Sequence, residues 1–427
     1  MPHEDTALTR YLFRCQTQWF LSIHPFRQHI NSSVLAMASS LLQLDLDTTT
    51  VILTLIEPVD ALRLALTCRA AQKVAIPRLL SEVDIGPDWQ KNGRDRVGKF
   101  SRYMLQRPAE RIPHLKTLVL NSETFVTGAA DPRTGEMYVD FNFTAAVSLA
   151  AVVQRALRLR KLSIGGAEFL FEGVPELAAA VASLTNIQEL SFTHTGIGVA
   201  RVLSRMRSRP RDVECSILEM RDKQEAKRYT NFRLGRDRFL HNFTECLEKV
   251  RLDGILLDLS QDILSLLEGD TVWPRVHDLT INDSVVDNLN FFARAFPNVR
   301  RLHLNAVSVN EPVINSAAWT SLDFLALHWP RCPVCHRIRW LRFNFTLTSG
   351  RHYRNAMRYA ESEDLLRATK PAILDAFGTP ELFKCVAEAN LALKFLRVYV
   401  APTATGSPSG QVDSLDSWLV SQSRCVD

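Results

Sequence analysis

The chain lacks the features that most directly announce an activity. No apolar run among its 427 residues reaches the ~20 needed to cross a bilayer. No glycine-rich phosphate loop follows any candidate strand, and the pairs Gly165-Gly166 and Gly196-x-Gly198 are too sparse to form one. There is no P-loop, no eight-ligand RING pattern and no G-x-S-x-G nucleophile elbow. Catalysis by the chain alone is therefore unsupported, and no cofactor is expected. Cysteine is also sparse: Cys15, Cys68, Cys215, Cys246, Cys332, Cys335, Cys385 and Cys425 share no repeating spacing. In a long chain this pattern is expected of reduced thiols in the cytoplasm or nucleus. The apolar residues 19–23 give way at once to His24, Arg27 and Gln28, too short and polar for a secretory signal. Residues 1–40 show no clear pattern and are read as a leader, a candidate for disorder. Met37 is an alternative start, so residues 1–36 need not belong to the mature protein.

What is present is the composition of a globular protein, 46% hydrophobic and 23% charged, long enough for two or more structural units. The net charge of +5 is concentrated. Residues 201–238 hold twelve Lys or Arg against six Asp or Glu, so they carry +6 and the rest of the chain −1. No nucleic-acid motif accompanies this segment, and its interspersed acids read as a solvated face, so nucleic acid is not an expected partner.

Residues 41–85 have a distinct grammar. Val51, Ile52, Leu55 and Ile56 form a stripe on one helical face. Thr48, Thr49 and Thr50 are placed to cap that helix, and Pro58 ends it. Asp60 suits the start of a second helix, on which Leu62, Leu64, Ala65, Leu66 and Cys68 follow at helical spacing. A third helix is expected over residues 75–80, with Pro77 near its start. Three helices in so few residues bury little area, so the module is expected to lean on a partner or a neighbouring domain.

This stretch resembles an F-box, the small helical module that docks onto the Skp1-type adaptor in cullin-RING ubiquitin ligases. Ile52, Pro58, Asp60, Leu62, Leu64, Cys68 and Arg69 fall in register with that pattern. The chain departs from it at Asp45, where proline usually follows Leu44, at Thr48 and Thr49, and at Ala71. The resemblance implies adaptor contacts from Leu44, Ile52, Pro58, Leu62, Leu64 and Cys68.

After residue 110 one phrase recurs: a proline-led or apolar lead-in, then a leucine-rich alternating strand. It appears at 113–120, 158–166, 185–192, 273–283, 296–305 and 319–327, and more weakly at 213–220, 250–257, 340–347 and 393–400. Each instance places apolar residues two apart, the period of a strand. Helical stretches lie between them at 143–157, 174–184, 285–296 and 382–393. Leu279, Leu302 and Leu325 stand 23 residues apart, the period of leucine-rich repeats, and Asn282 and Asn305 hint at an asparagine ladder. The expected fold is α/β: a helical F-box-like module, then a divergent leucine-rich-repeat solenoid over 86–400 and a flexible tail over 401–427. A doubly wound α/β domain is the alternative from the same pattern.

The order of these parts is similar to the F-box/leucine-rich-repeat class of substrate receptors. The class implies a Skp1-type adaptor and a cullin scaffold as partners and a protein target on the repeats. A repeat scaffold with no ligase role is the competing reading. The basic strip Arg275, His277, Arg301 and His303 is the candidate target surface, the two histidines being placed inside repeat strands. Cys332-Pro-Val-Cys335-His336, with His328 and His352 nearby, carries haem, redox and zinc alternatives. It lacks a second ligand pair and reads best as the lead-in to a strand, with no metal.

Overall fold

The computed structural model describes residues 43–86, 93–130, 137–217, 240–254, 256–257, 271–286, 289–305, 307–309, 319, 322–328, 337–344, 353–378 and 380–399. The leader over 1–40, the cluster Cys332, Cys335, His336 and His352, and the tail over 401–427 lie outside them, as does most of the basic segment. The chain falls into two compact units, residues 1–247 and 248–427.

The first unit opens on three helices: α1 (Leu46–Leu55), α2 (Pro58–Ala65) and α3 (Arg69–Ser81). The α1 cap is Asp45 and not the threonines. Its Oδ1 accepts the Thr48 amide at 2.8 Å and its Oδ2 accepts the Thr48 hydroxyl at 2.7 Å. A carboxylate there satisfies an otherwise orphaned amide. Pro58 takes the first position of α2, where its missing N–H costs nothing. Asp60 stands in the first turn of α2 and pairs with Arg63 at 2.7 Å, while Glu57 takes the cap position without a side-chain capping bond. The third helix starts six residues earlier than expected, with the Cys68 sulfur accepting the Ala71 amide at 3.4 Å, so Pro77 lies in its interior. Burial of Ala71, Ala75, Leu79 and Leu80 on the same helix holds it past the proline. Ala61, Leu62 and Ala65 of α2 and Ala75 and Leu79 of α3 form an apolar cluster, with Ile56 and Leu64 against it.

Strand β1 (Glu82–Ile85) follows α3 directly and begins a parallel array that continues through β2 (Thr117–Leu120), β5 (Lys161–Ile164), β6 (Glu189–Thr195) and β7 (Asp212–Ile217). Between β2 and β5 an antiparallel pair intervenes, β3 (Val126–Ala130) with β4 (Met137–Phe141). Helices α4 (Gly93–Gln106), α5 (Ala146–Arg155), α6 (Ala167–Gly173), α7 (Pro175–Ser183) and α8 (Ile197–Arg205) occupy the connections. The register stacks Leu118, Leu162, Leu190 and Val213 in one buried row and Leu120, Ile164, Phe192 and Cys215 in the next. Each large side chain so buried contributes ~1.5–3 kcal/mol. Gly165 permits a close crossing at the end of β5: a Cβ there would stand 2.1 Å from the Ser122 amide nitrogen. Glu168 on α6 is buried and accepts the Gly198 and Val199 amides at 2.7 and 2.9 Å, capping α8 from outside it.

The second unit repeats the scheme. Strands β8 (Lys249–Asp253), β10 (Asp278–Asn282), β12 (Arg301–Asn305), β14 (Phe324–Leu327), β15 (Trp340–Phe343), β16 (Ile373–Phe377) and β17 (Phe395–Tyr399) pair in chain order, all parallel. Three two-residue strands, β9 (Leu256–Leu257), β11 (Val285–Val286) and β13 (Ser308–Val309), form a second parallel sheet. Helices α9 (Asn290–Ala295), α10 (Tyr353–Thr369) and α11 (Pro380–Glu388) lie between the later strands. The stretch expected as one helix over 285–296 thus divides into β11 and α9. The helix expected to reach residue 393 stops at Glu388, and Asn390 follows with a φ of 48°.

Leu279, Leu302 and Leu325 are direct register partners, and the row extends from Val250 to Leu341 and Leu374. The 23-residue period is therefore one turn from strand to neighbouring strand. A polar ladder runs along the strand ends. Asn282 donates to Asp253, Asn305 donates to Asn282 at 2.8 Å, and Asn344 donates to Asn305 at 2.7 Å. Within each unit the strand order follows the chain without a reversal. A doubly wound sheet needs such a reversal.

Candidate functional site

The three-helix module leaves much apolar surface uncovered. Val51 is 58% exposed, Leu55 80%, Leu66 48% and Leu44 44%. Ile52, Pro58 and Leu64 are half-buried, and Leu62 is 6% exposed. The α1 stripe is thus split. Ile56 packs against the α2–α3 cluster and Ile52 is half-buried, while Val51 and Leu55 are exposed. Leu62 belongs to the module's own core. Cys68 is exposed, and the Ala71 amide on its sulfur lowers its pKa. Val51, Leu55 and Leu66 were absent from the expected contact set. The sequence placed them on apolar helices but could not say which positions the rest of the chain would cover.

The second candidate surface is the polar side of the second unit's strands. The register sets Arg301 beside Asp278 and His303 beside Thr280. Arg275 and His277 precede β10, so His277 is not inside a strand, and its carbonyl accepts the Arg300 and Arg301 amides. The basic strip is already neutralised in part. Arg301 lies 3.8 Å and His303 3.9 Å from Asp278, and Arg275 lies 4.0 Å from Glu248. Burial lowers the pKa of His303, against the opposing pull of Asp278.

Further along, the same side carries a denser cluster that sequence reading missed. Asp375 is buried and its Oδ2 receives Arg342 at 3.0 and 3.3 Å, with Arg397 at 3.6 Å. The Arg342 guanidinium also lies over the rings of Phe324 and Trp340, at 5.5 and 5.6 Å. Asp375 Oδ1 and Trp340 Nε1 are buried with no hydrogen-bond partner among the described residues. The available signal was the alternation itself, since Arg342 and Asp375 each stand next to a buried leucine, Leu341 and Leu374.

Cys215 and Cys385 are buried, and burial pushes the Cys385 thiol up to about 12. No group of three or more His, Cys, Asp or Glu side chains able to hold a metal occurs among the described residues. No helix among them is long and apolar enough to cross a membrane. No protein-family model matches the chain, and no curated protein matches it.

Proposed function

We propose that the chain is the substrate-recognition subunit of a cullin-RING ubiquitin ligase, an F-box protein with divergent leucine-rich repeats. The helices α1 to α3 bind a Skp1-type adaptor, and the strand face of the second unit holds a protein target. Transfer of ubiquitin belongs to other subunits, and the chain contributes proximity. Such a receptor works in the cytoplasm or nucleus.

The observation that carries this reading is the exposure of Val51 and Leu55, one helical turn apart on α1, together with that of Leu66 at the end of α2. Large apolar side chains left open on a small helical module mark protein–protein contact. The resemblance to the F-box supplies the partner. The leucine rows, the 23-residue step and the side-chain amide ladder support the repeat reading.

The test is co-expression of the full chain with a Skp1-type adaptor. The wild type should co-purify with it. Val51→Asp with Leu55→Asp should abolish retention with the melting temperature unchanged, because both side chains are exposed. A Leu62→Asp variant would mix loss of folding with loss of binding. A wild-type chain that does not retain the adaptor, or a double variant that does, overturns the assignment in favour of a scaffold.

A further inference from the structure

The first unit contains a polar cleft of about 320 Å³ where α1 and α3 meet the leading ends of the strands. Its walls include Arg78, Lys116, Arg160 and Lys161 against Glu82 and Glu189, a net charge of +2. Two of the cations are committed. Arg78 holds Glu82 at 3.0 Å and Lys161 holds Glu189 at 2.8 Å. Lys116 and Arg160 have neither an ion pair nor a side-chain hydrogen bond among the described residues.

The parallel register forces these two together. Thr117 and Lys161 are partners across β2 and β5, so the residues just before them are neighbours too. The Arg160 amide donates to the Lys116 carbonyl at 2.8 Å. Adjacent strands lie ~4.8 Å apart, and like charges facing each other at that spacing are destabilising. An anion between them reverses the sign of that interaction. The lining is otherwise Thr54, Ser81, Thr117 and Gln188, with no aromatic ring to stack a base.

We propose that this cleft binds a small hydrophilic phosphate compound, its phosphoryl oxygens bridging Lys116 and Arg160. A phosphate carries a charge of about −1.5 to −2 and three strong acceptors, matching two uncommitted cations and their donors. Thr54 and Arg78 bring the helical module to the wall of the same cleft. The proposal does not depend on adaptor binding.

Calorimetric titration of the full chain with pyrophosphate at physiological ionic strength is the test, with acetate as the monoanion comparison. Saturable binding of pyrophosphate and none of acetate is expected. Lys116→Ser with Arg160→Ser should weaken it at least tenfold, whereas Arg102→Ser, an exposed cation outside the cleft, should leave it unchanged. No saturable binding to the wild type, or equal affinity in the double variant with an unchanged melt, overturns the proposal. A phosphoserine peptide binding tenfold more tightly than pyrophosphate would overturn the small-molecule assignment.

Discussion

Removing Arg342 should destabilise the second unit more than removing the carboxylate it holds. The Asp375 side chain is 1% exposed, whereas Arg342 and Arg397 are 31% and 60% exposed. Deleting the carboxylate leaves two cations that can turn to water. Deleting Arg342 leaves a dry carboxylate with one exposed guanidinium at 3.6 Å and with Oδ1 still unbonded. Breaking a fully buried pair costs ~3–5 kcal/mol, and because Arg397 remains we expect about 2–3 kcal/mol for Arg342→Met. Methionine keeps an apolar stem against Phe324 and Trp340, so lost packing is small. Asp375→Leu removes the ion together with its desolvation cost, and about 0–1 kcal/mol is expected. In a unit of this size ~1 kcal/mol moves Tm by roughly 2–4 °C. Arg342→Met should therefore melt ~4–12 °C below the wild type in scanning calorimetry, with Asp375→Leu within a few degrees of it. In the Asp375→Leu background, adding Arg342→Met should cost much less than it does alone. If Asp375→Leu lowers Tm as far as Arg342→Met or further, the carboxylate is an anchor in its own right and the argument from desolvation is wrong.

Two further outcomes follow from the first unit and from the histidines. Gly165→Ala places a Cβ 2.1 Å from the Ser122 nitrogen and 2.7 Å from its Cα, so the urea midpoint should fall by the equivalent of ~1–3 kcal/mol or more; an unchanged midpoint would mean that the β2–β5 crossing yields without cost. Burial lowers the pKa of His114, His194 and His303 below the ordinary value of 6.5. The unfolded chain then binds more protons than the folded one below 6.5, so stability is full above that pH and is lost as the pH falls through it. Tm should be lower at pH 5.5 than at pH 7.5, and His303→Gln should shrink the difference; a Tm that rises on acidification would refute the sign.

Much of the strand architecture was legible because its signal is local. In a parallel sheet with one face buried, every second residue must be apolar, so phrases such as residues 296–305 declare a strand wherever they occur. All ten such phrases overlap observed strands. Strand β16 escaped because Asp375 interrupts its apolar run, and β1 because it follows α3 without a break. Caps were read less well. Asp45, Thr48 and Cys68 are all able to cap, and only backbone geometry chooses between them.

The sequence by itself determined the alternation of strands with helices, the 23-residue step from Leu279 to Leu325 and the presence of a helical module before residue 82. These are set by side-chain periodicity and by proline, which act within a few residues. Only the tertiary structure decided which apolar side chains are spent and which remain. It buried Leu62 and left Leu55 open, made Asp375 the partner of two arginines, and placed Lys116 beside Arg160. Residues 44 positions apart become neighbours through the register of parallel strands, and that register belongs to the whole sheet and not to either segment.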